Sequence, residues 1–268
     1  MSLSKRVDQA RKAFRKGDPK LAAAAHDPKV IHRSMEKHGG VETQFIGEMV
    51  YGGLDGIITT FAVVAGVAGA NLGANVVLIL GLANLLADGF SMAIGSYLST
   101  KSEQEFYARE KQRETWEVEH YPEGEKAELY ELYLSQGYAE ADARAMVEIK
   151  AKDHDLWVNA MMLEELGMLE DTSHPLKNGL ATFISFIIAG VLPLVVYLLS
   201  LILPIPAGVA FPTSMVLSGL ALFGLGAAKV LATQNNPWRS GLEMLLVGGL
   251  AAGVAYVVGA LLKGIGGG

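Results

Sequence analysis

Two carboxylates buried in long apolar stretches are the residues of this chain best placed to do chemistry. Asp55 lies in EMVYGGLDGIITTFAVVAGVAGA and Asp88 in VVLILGLANLLADGFSMAIGSYL. A charged side chain near the centre of a bilayer costs roughly 2.5–3.5 kcal/mol on insertion scales, so acids there mark ion or proton paths. Glu48 stands seven residues before Asp55 and shares its helical face. Asn84, Asp88 and Met92 follow at four-residue steps and form one stripe on the second stretch. If the two faces meet, they line a polar path of carboxylate oxygens and a thioether. An internal hydrogen-bond cluster is the alternative reading.

A second concentration of acid follows. Residues 100–178 hold 19 of the 28 acidic residues of the chain. Glu103, Glu110, Glu114 and Glu117 follow steps of seven, four and three, which places them on one helical face. Like charges at such spacing destabilise a helix by roughly 0.2–0.5 kcal/mol per pair, which a bound cation would relieve. A solvated face with pairs such as Glu105 to Arg109 explains the pattern equally, and spacing alone leaves both open. Glu125 and Glu128 share a face in the next helical stretch, where solvation is the simpler account. In MMLEELGM, Met161, Met162, Glu164 and Glu165 offer thioether and carboxylate together, or a plain amphipathic helix. Glu117-x-x-His120 is half of a di-iron carboxylate pattern. No second Glu-x-x-His occurs, so an oxidising centre is not expected and His120 reads as a surface residue at a helix end.

These groups need elements to hold them. With 51% hydrophobic and only 19% charged residues over 268 positions, the chain is too apolar for a soluble domain of this size. Five stretches reach the about 20 residues needed to cross a membrane as helices: 46–70, 75–99, 179–203, 208–232 and 240–262. The expected fold is all-α and polytopic. A basic arm (1–45) precedes two spans (46–99), a helical glutamate-rich insert (100–178) and three further spans (179–268). Gly52 with Gly56, and Gly69 with Gly73, form small-xxx-small pairs that permit close helix approach. Pro193 predicts a kink in the third span, and Pro204, Pro206 and Pro212 mark the turn into the fourth. The insert reads as three helices, 100–119, 124–135 and 138–167.

Lysine and arginine set the orientation. The arm carries ten, the insert nine and the loop between spans four and five Lys229 and Arg239, against Lys263 alone on the alternate side. The positive-inside rule therefore puts the arm and insert in the cytoplasm and the C-terminus outside. Lys229 and Glu243 read as interfacial anchors. The chain has no cysteine, so any metal is held by carboxylate, imidazole, thioether or carbonyl groups. No signal peptide is visible, and a basic arm running straight into a span gives no support to nucleic-acid binding.

The segments GGLDGIITTFAVVAGVAGA, SMAIGSYLSTKSEQEFYAREKQRE and MMLEELGM, in this order of elements, resemble the vacuolar iron transporter family over roughly residues 42–265, as a prokaryotic-type member. The resemblance implies a homodimer with a pore between the first spans, exporting ferrous iron from the cytosol in exchange for protons. It implies Asp55 and Met92 as pore contacts and Glu48 at the cytoplasmic mouth. It assigns Glu114, Glu117, Glu125, Glu128, Glu165, Met161 and Met162 to a metal site in the insert, with Glu110 beside them. Plant members carry an acid on the second span where this chain has Asn84, with Asp88 one turn later. The arm, residues 1–40, is set outside the resemblance and is suited to anionic lipid. No prosthetic group is expected. Fe(II) is the expected cargo, with Mn(II), Co(II), Ni(II) or Zn(II) as further candidates, and the expected location is a bacterial inner membrane.

Two other classes compete. The insert of a membrane-anchored iron-buffering or sensing protein would bind metal without transport, but an anchor needs neither Asp55 nor Asp88. An enzyme is disfavoured by the lack of a nucleotide motif or a Ser-His-Asp arrangement.

Overall fold

The computed structural model describes residues 5–27, 41–229 and 236–263. Among them all regular structure is helical, and the chain divides into two units, residues 1–47 and 48–268. In the first unit, α1 (Lys5–Lys16) turns through Gly17, whose positive φ suits a residue without a side chain, into α2 (Pro19–Ala25). Asp18 caps α2 by accepting from the backbone N–H of Lys20 at 2.9 Å and of Leu21 at 3.2 Å. Ala13 and Ala25 are the buried contacts of this hairpin, and Phe14 is exposed. The expectations for residues 1–4 and 28–40 lie outside the described residues.

In the second unit five helices are long and apolar enough to cross a membrane. They belong to α3 (Val41–Gly69), α4 (Ala74–His120), α8 (Pro175–Gly190, continued through a 3-10 turn into α9, Val195–Leu199), α10 (Ala207–Ala228) and α11 (Pro237–Leu262). The bend after Gly190 falls at Leu192–Leu194, where Pro193 cannot continue the hydrogen-bond ladder. Pro212 differs from expectation: it lies inside α10, and Pro206 is the residue that starts that helix. Residues 230–232, expected to end the fourth span, lie outside the described residues.

Close approach depends on glycine at particular points. A Cβ on Gly52 would stand 2.7 Å from the carbonyl oxygen of Thr182, and one on Gly56 would collide with the Phe186 carbonyl. These two glycines let α3 lie against α8. Gly69 meets the backbone of α11 at Tyr256, but Gly73 faces open space, so only one member of that expected pair makes a contact. Phe61, Val64, Leu85, Phe186 and Leu194 form the centre of the apolar core.

The insert departs from the expected three helices in two ways. The span and the first insert helix are one element: α4 runs 47 residues without a break, about 70 Å at the rise of an α-helix. Nothing in SYLSTKSEQEF interrupts it, because a change from apolar to charged residues does not disturb backbone geometry. It is followed by α5 (Pro122–Ser135), α6 (Glu140–Lys150) and α7 (His154–Ala160), which runs into a π-helical turn at Met161–Glu165. The expected helix 138–167 is therefore divided. Asp153 caps a new start by accepting from the Leu156 N–H at 2.9 Å. The insert has its own core of Leu129, Tyr133, Val147, Trp157, Met161 and Met162.

Candidate metal site and membrane path

The carboxylate centre forms where the far end of α4 meets α5 and the π-helical turn. One oxygen each from Glu114, Glu117 and Glu125 lie within 4.8 Å of one another. Glu114 and Glu125 are buried, at 1% and 3% exposure, and Glu117 is half-buried. Buried acids this close cannot all ionise without a cation. Burial, followed by the charges of Glu114, Glu128 and Glu117, pushes the Glu125 carboxyl up to about 8, and it shares a hydrogen bond with Glu114. Burial and the charges of Glu128 and Glu114 push Glu165 up to about 7, and Glu165 also hydrogen-bonds Glu128. Oε2 of Glu125 and Oε2 of Glu165 are both buried without a hydrogen-bond partner. Two such oxygens among clustered acids suit a hard or borderline divalent cation.

The π-helical turn gives two adjacent glutamates opposite fates. Glu164 accepts from the Tyr133 hydroxyl and from Lys150 Nζ, each at 2.7 Å. Burial opposes its charge, but these bonds and the Lys150 charge outweigh it and hold its pKa below the ordinary value. Glu164 thus anchors the turn, while Glu165 faces the other acids. Met161 and Met162 are fully buried in the insert core, as a plain amphipathic helix requires, on the same turn as Glu165. The wider turn closes through the Leu166 N–H to the Met161 carbonyl at 3.0 Å. Insertions of this kind recur at functional sites.

Sequence spacing missed Arg113, which pairs with Glu110, Glu114 and Glu117 together. The signal was present: acids at i−3, i+1 and i+4 surround it. Glu110 sits at the edge of the centre through this pairing, and Glu103 lies elsewhere, accepting from Ser99 at 3.1 Å. Glu105 pairs with Lys101 and Arg109 with Glu110, rather than with each other. His120 is exposed, donates from Nδ1 to the Trp116 carbonyl at 2.8 Å and stacks on the Trp116 ring.

In the spans the two polar faces do meet. Asp55, Asn84, Asp88 and Met92 are all half-buried, and Asp88 is close enough for its charge to act on Asp55. The stripe of the second span extends one turn further than the sequence suggested, to Ser96, which donates to Glu48 at 3.2 Å. Thr182 of α8 donates to the same Glu48 oxygen at 2.8 Å. From there a polar seam runs towards the insert. Asn178 donates to Thr100 and to Ser173, each at 3.1 Å, and Gln104 donates to the carbonyls of Asp171 and Ser173. Asn178 Oδ1 is buried without a hydrogen-bond partner. Glu48 is thus held by three helices at the end of the spans nearer the insert.

A model of the VIT family matches residues 46–260. The vacuolar iron transporter of Toxoplasma gondii (strain ATCC 50861 / VEG) is 41% identical over 268 residues, covering 96% of this chain and 88% of the relative. That of Plasmodium falciparum (isolate 3D7) is 34% identical, covering 97% and 98%. Vacuolar iron transporter 1 of Arabidopsis thaliana is 32% identical over 236 residues, covering 87% and 92%. The first two alignments leave out too few residues to exclude the arm, so the similarity extends into residues 1–40, beyond the limit expected from sequence. Family model and relatives agree over the spans and the insert: the chain is an integral, multi-pass membrane protein that belongs to the VIT family.

Proposed function

We infer that the protein carries ferrous iron out of the cytosol in exchange for protons. The chain is not an enzyme, since its family is one of transporters. The observation that carries the reading is the set of three acids, Glu48, Asp55 and Asp88, on two facing spans that hold no lysine or arginine between residues 46 and 99. Within these two spans such acids have no basic partner, and a proton or a passing cation can neutralise them.

In this reading the insert faces the cytosol and captures the ion on Glu114, Glu117, Glu125, Glu128 and Glu165, with Met161 and Met162 supplying softer sulfur if the turn opens. A thioether at Met92 favours Fe(II) over Ca(II) or Mg(II). Glu48 receives the ion, and Asp55 with Asp88 passes it, in a pore shared by two copies of the chain. Manganese, with Co(II), Ni(II) and Zn(II) behind it, remains a competing cargo because oxygen ligands separate these ions poorly. The named relatives are eukaryotic and called vacuolar, which lends no support to the expected bacterial inner membrane. The reading needs only that the insert lie on the cytosolic side.

Fe(II) flux into proteoliposomes under a set pH gradient tests this, with wild type beside Asp55→Ala. Gradient-dependent flux lost on substitution is expected. No flux from folded wild-type protein whose insert still binds metal would replace transport by the anchored-buffer reading.

A further inference from the structure

Arg113 sets a positive charge against three acids of the insert. Its guanidinium, 44% exposed, meets Glu110 at 3.0 Å through Nε, Glu114 through Nη2 and Glu117 through Nη1. Two of these three acids are the ones that converge with Glu125. The charge also reaches deeper, since Arg113 acts on Glu165 across the centre. A planar fork with five N–H donors satisfies several carboxylates at once, and it stays charged at any physiological pH.

A divalent ion that binds Glu114 and Glu117 needs the same oxygen lone pairs. We propose that Arg113 is a built-in competitor for the cargo ion, neutralising Glu114 and Glu117 in the empty state and retreating to Glu110 when the ion enters. The proposal rests on the reading of the insert as the capture site. Three consequences follow from charge alone. Binding exchanges one cation for another, so affinity is lower than five acids would otherwise give. A monovalent ion has no advantage over the guanidinium already in place, so the centre discriminates by charge. On release, the guanidinium returns and the acids are never left to repel one another. Glu110 has a place in this scheme that its position at the edge does not otherwise explain: it is the partner that keeps Arg113 nearby. A long half-exposed side chain can make the move without disturbing the helix.

The test is the sign of an affinity change. Purified full-length protein is titrated with Co(II) at constant pH, and the insert's share of binding is identified as the part that Glu125→Gln weakens. Arg113→Gln is expected to tighten that part by about tenfold or more, the scale of one lost charge–charge competition. Arg113→Lys, which keeps the charge but loses the fork, is expected to tighten it less. Weaker or unchanged binding in both variants would show Arg113 to be a strut that positions the acids, and would overturn the proposal. If Arg113→Gln fails to fold, the lysine variant decides alone, since tightening requires a formed site. Binding that Glu125→Gln leaves intact would instead remove the capture reading itself, a separate result.

Discussion

Between residues 46 and 99 three acids share two packed helices with no basic residue, whereas the acids of the insert have Arg113 and Lys150 among them. Both regions hold carboxylates out of water, yet they are stabilised differently. The insert keeps its acids in place with a guanidinium and an ammonium, and burial among like charges raises the pKa of Glu125 and Glu165. Among the described residues the donors to Glu48 are hydroxyls, from Ser96 and Thr182. A site already neutralised can stay folded while empty and bind moderately. A site without counter-charge depends on its passenger, which suits a path rather than a store.

The largest expected effect separates the two regions outright. Asp55→Ala should remove flux while leaving the insert's Co(II) affinity unchanged. Loss of both would mean the regions are one site and the contrast is false. Next comes pH. Glu125 and Glu165 must give up protons to bind metal, so affinity should fall by about five-hundredfold from about pH 8 to about pH 6, with protons released on binding. The same carboxyls reverse the dependence for the empty protein. Each binds its proton more tightly folded than unfolded, so metal-free stability should decrease as pH rises from the ordinary value of 4.5 through about 7 for Glu165 and about 8 for Glu125. A thermal melt with and without Co(II) across that window checks both signs. A flat profile would place the ion away from these two residues.

Smaller effects sharpen the picture. Glu125→Gln should weaken insert binding at least about tenfold, since losing a ligand exceeds losing an outer partner, yet leave maximal flux at saturating metal largely intact. Equal loss of maximal flux would make the insert part of the path. Tyr133→Phe removes one of two bonds to Glu164 and should loosen the π-helical turn, weakening insert binding by about fivefold, the value of a hydrogen bond near 1 kcal/mol. No change in Co(II) affinity would mean that Lys150 alone holds the turn.

Much of this was legible residue by residue. Asp55 and Asp88 stood out because acids in apolar stretches are costly, and the five spans followed from the length of those stretches. The stripe Asn84, Asp88, Met92 followed from helical period. Arg113 was overlooked because the acids around it were read as a row of ligands, and the cation between them was not placed among its neighbours. Glu164 and Glu165 could not be separated along the chain. A π-helical turn shifts side-chain direction within a few residues, and only the packing of Tyr133 and Lys150 shows which carboxylate it turns outward.

Composition and period by themselves determined that the chain is helical, has five stretches long and apolar enough to cross a membrane, and carries acids both inside and outside those stretches. Those conclusions rest on local quantities: transfer free energy along a stretch, and the angle between successive side chains. Which acids meet was decided only in three dimensions. Glu114 and Glu125 converge because α4 runs unbroken out of the span and α5 folds back beside it. Glu48 is held by a hydroxyl 134 residues away, because Gly52 and Gly56 let α3 lie against α8. Distance in space depends on how closely backbones pack, and no spacing along one helix contains that information.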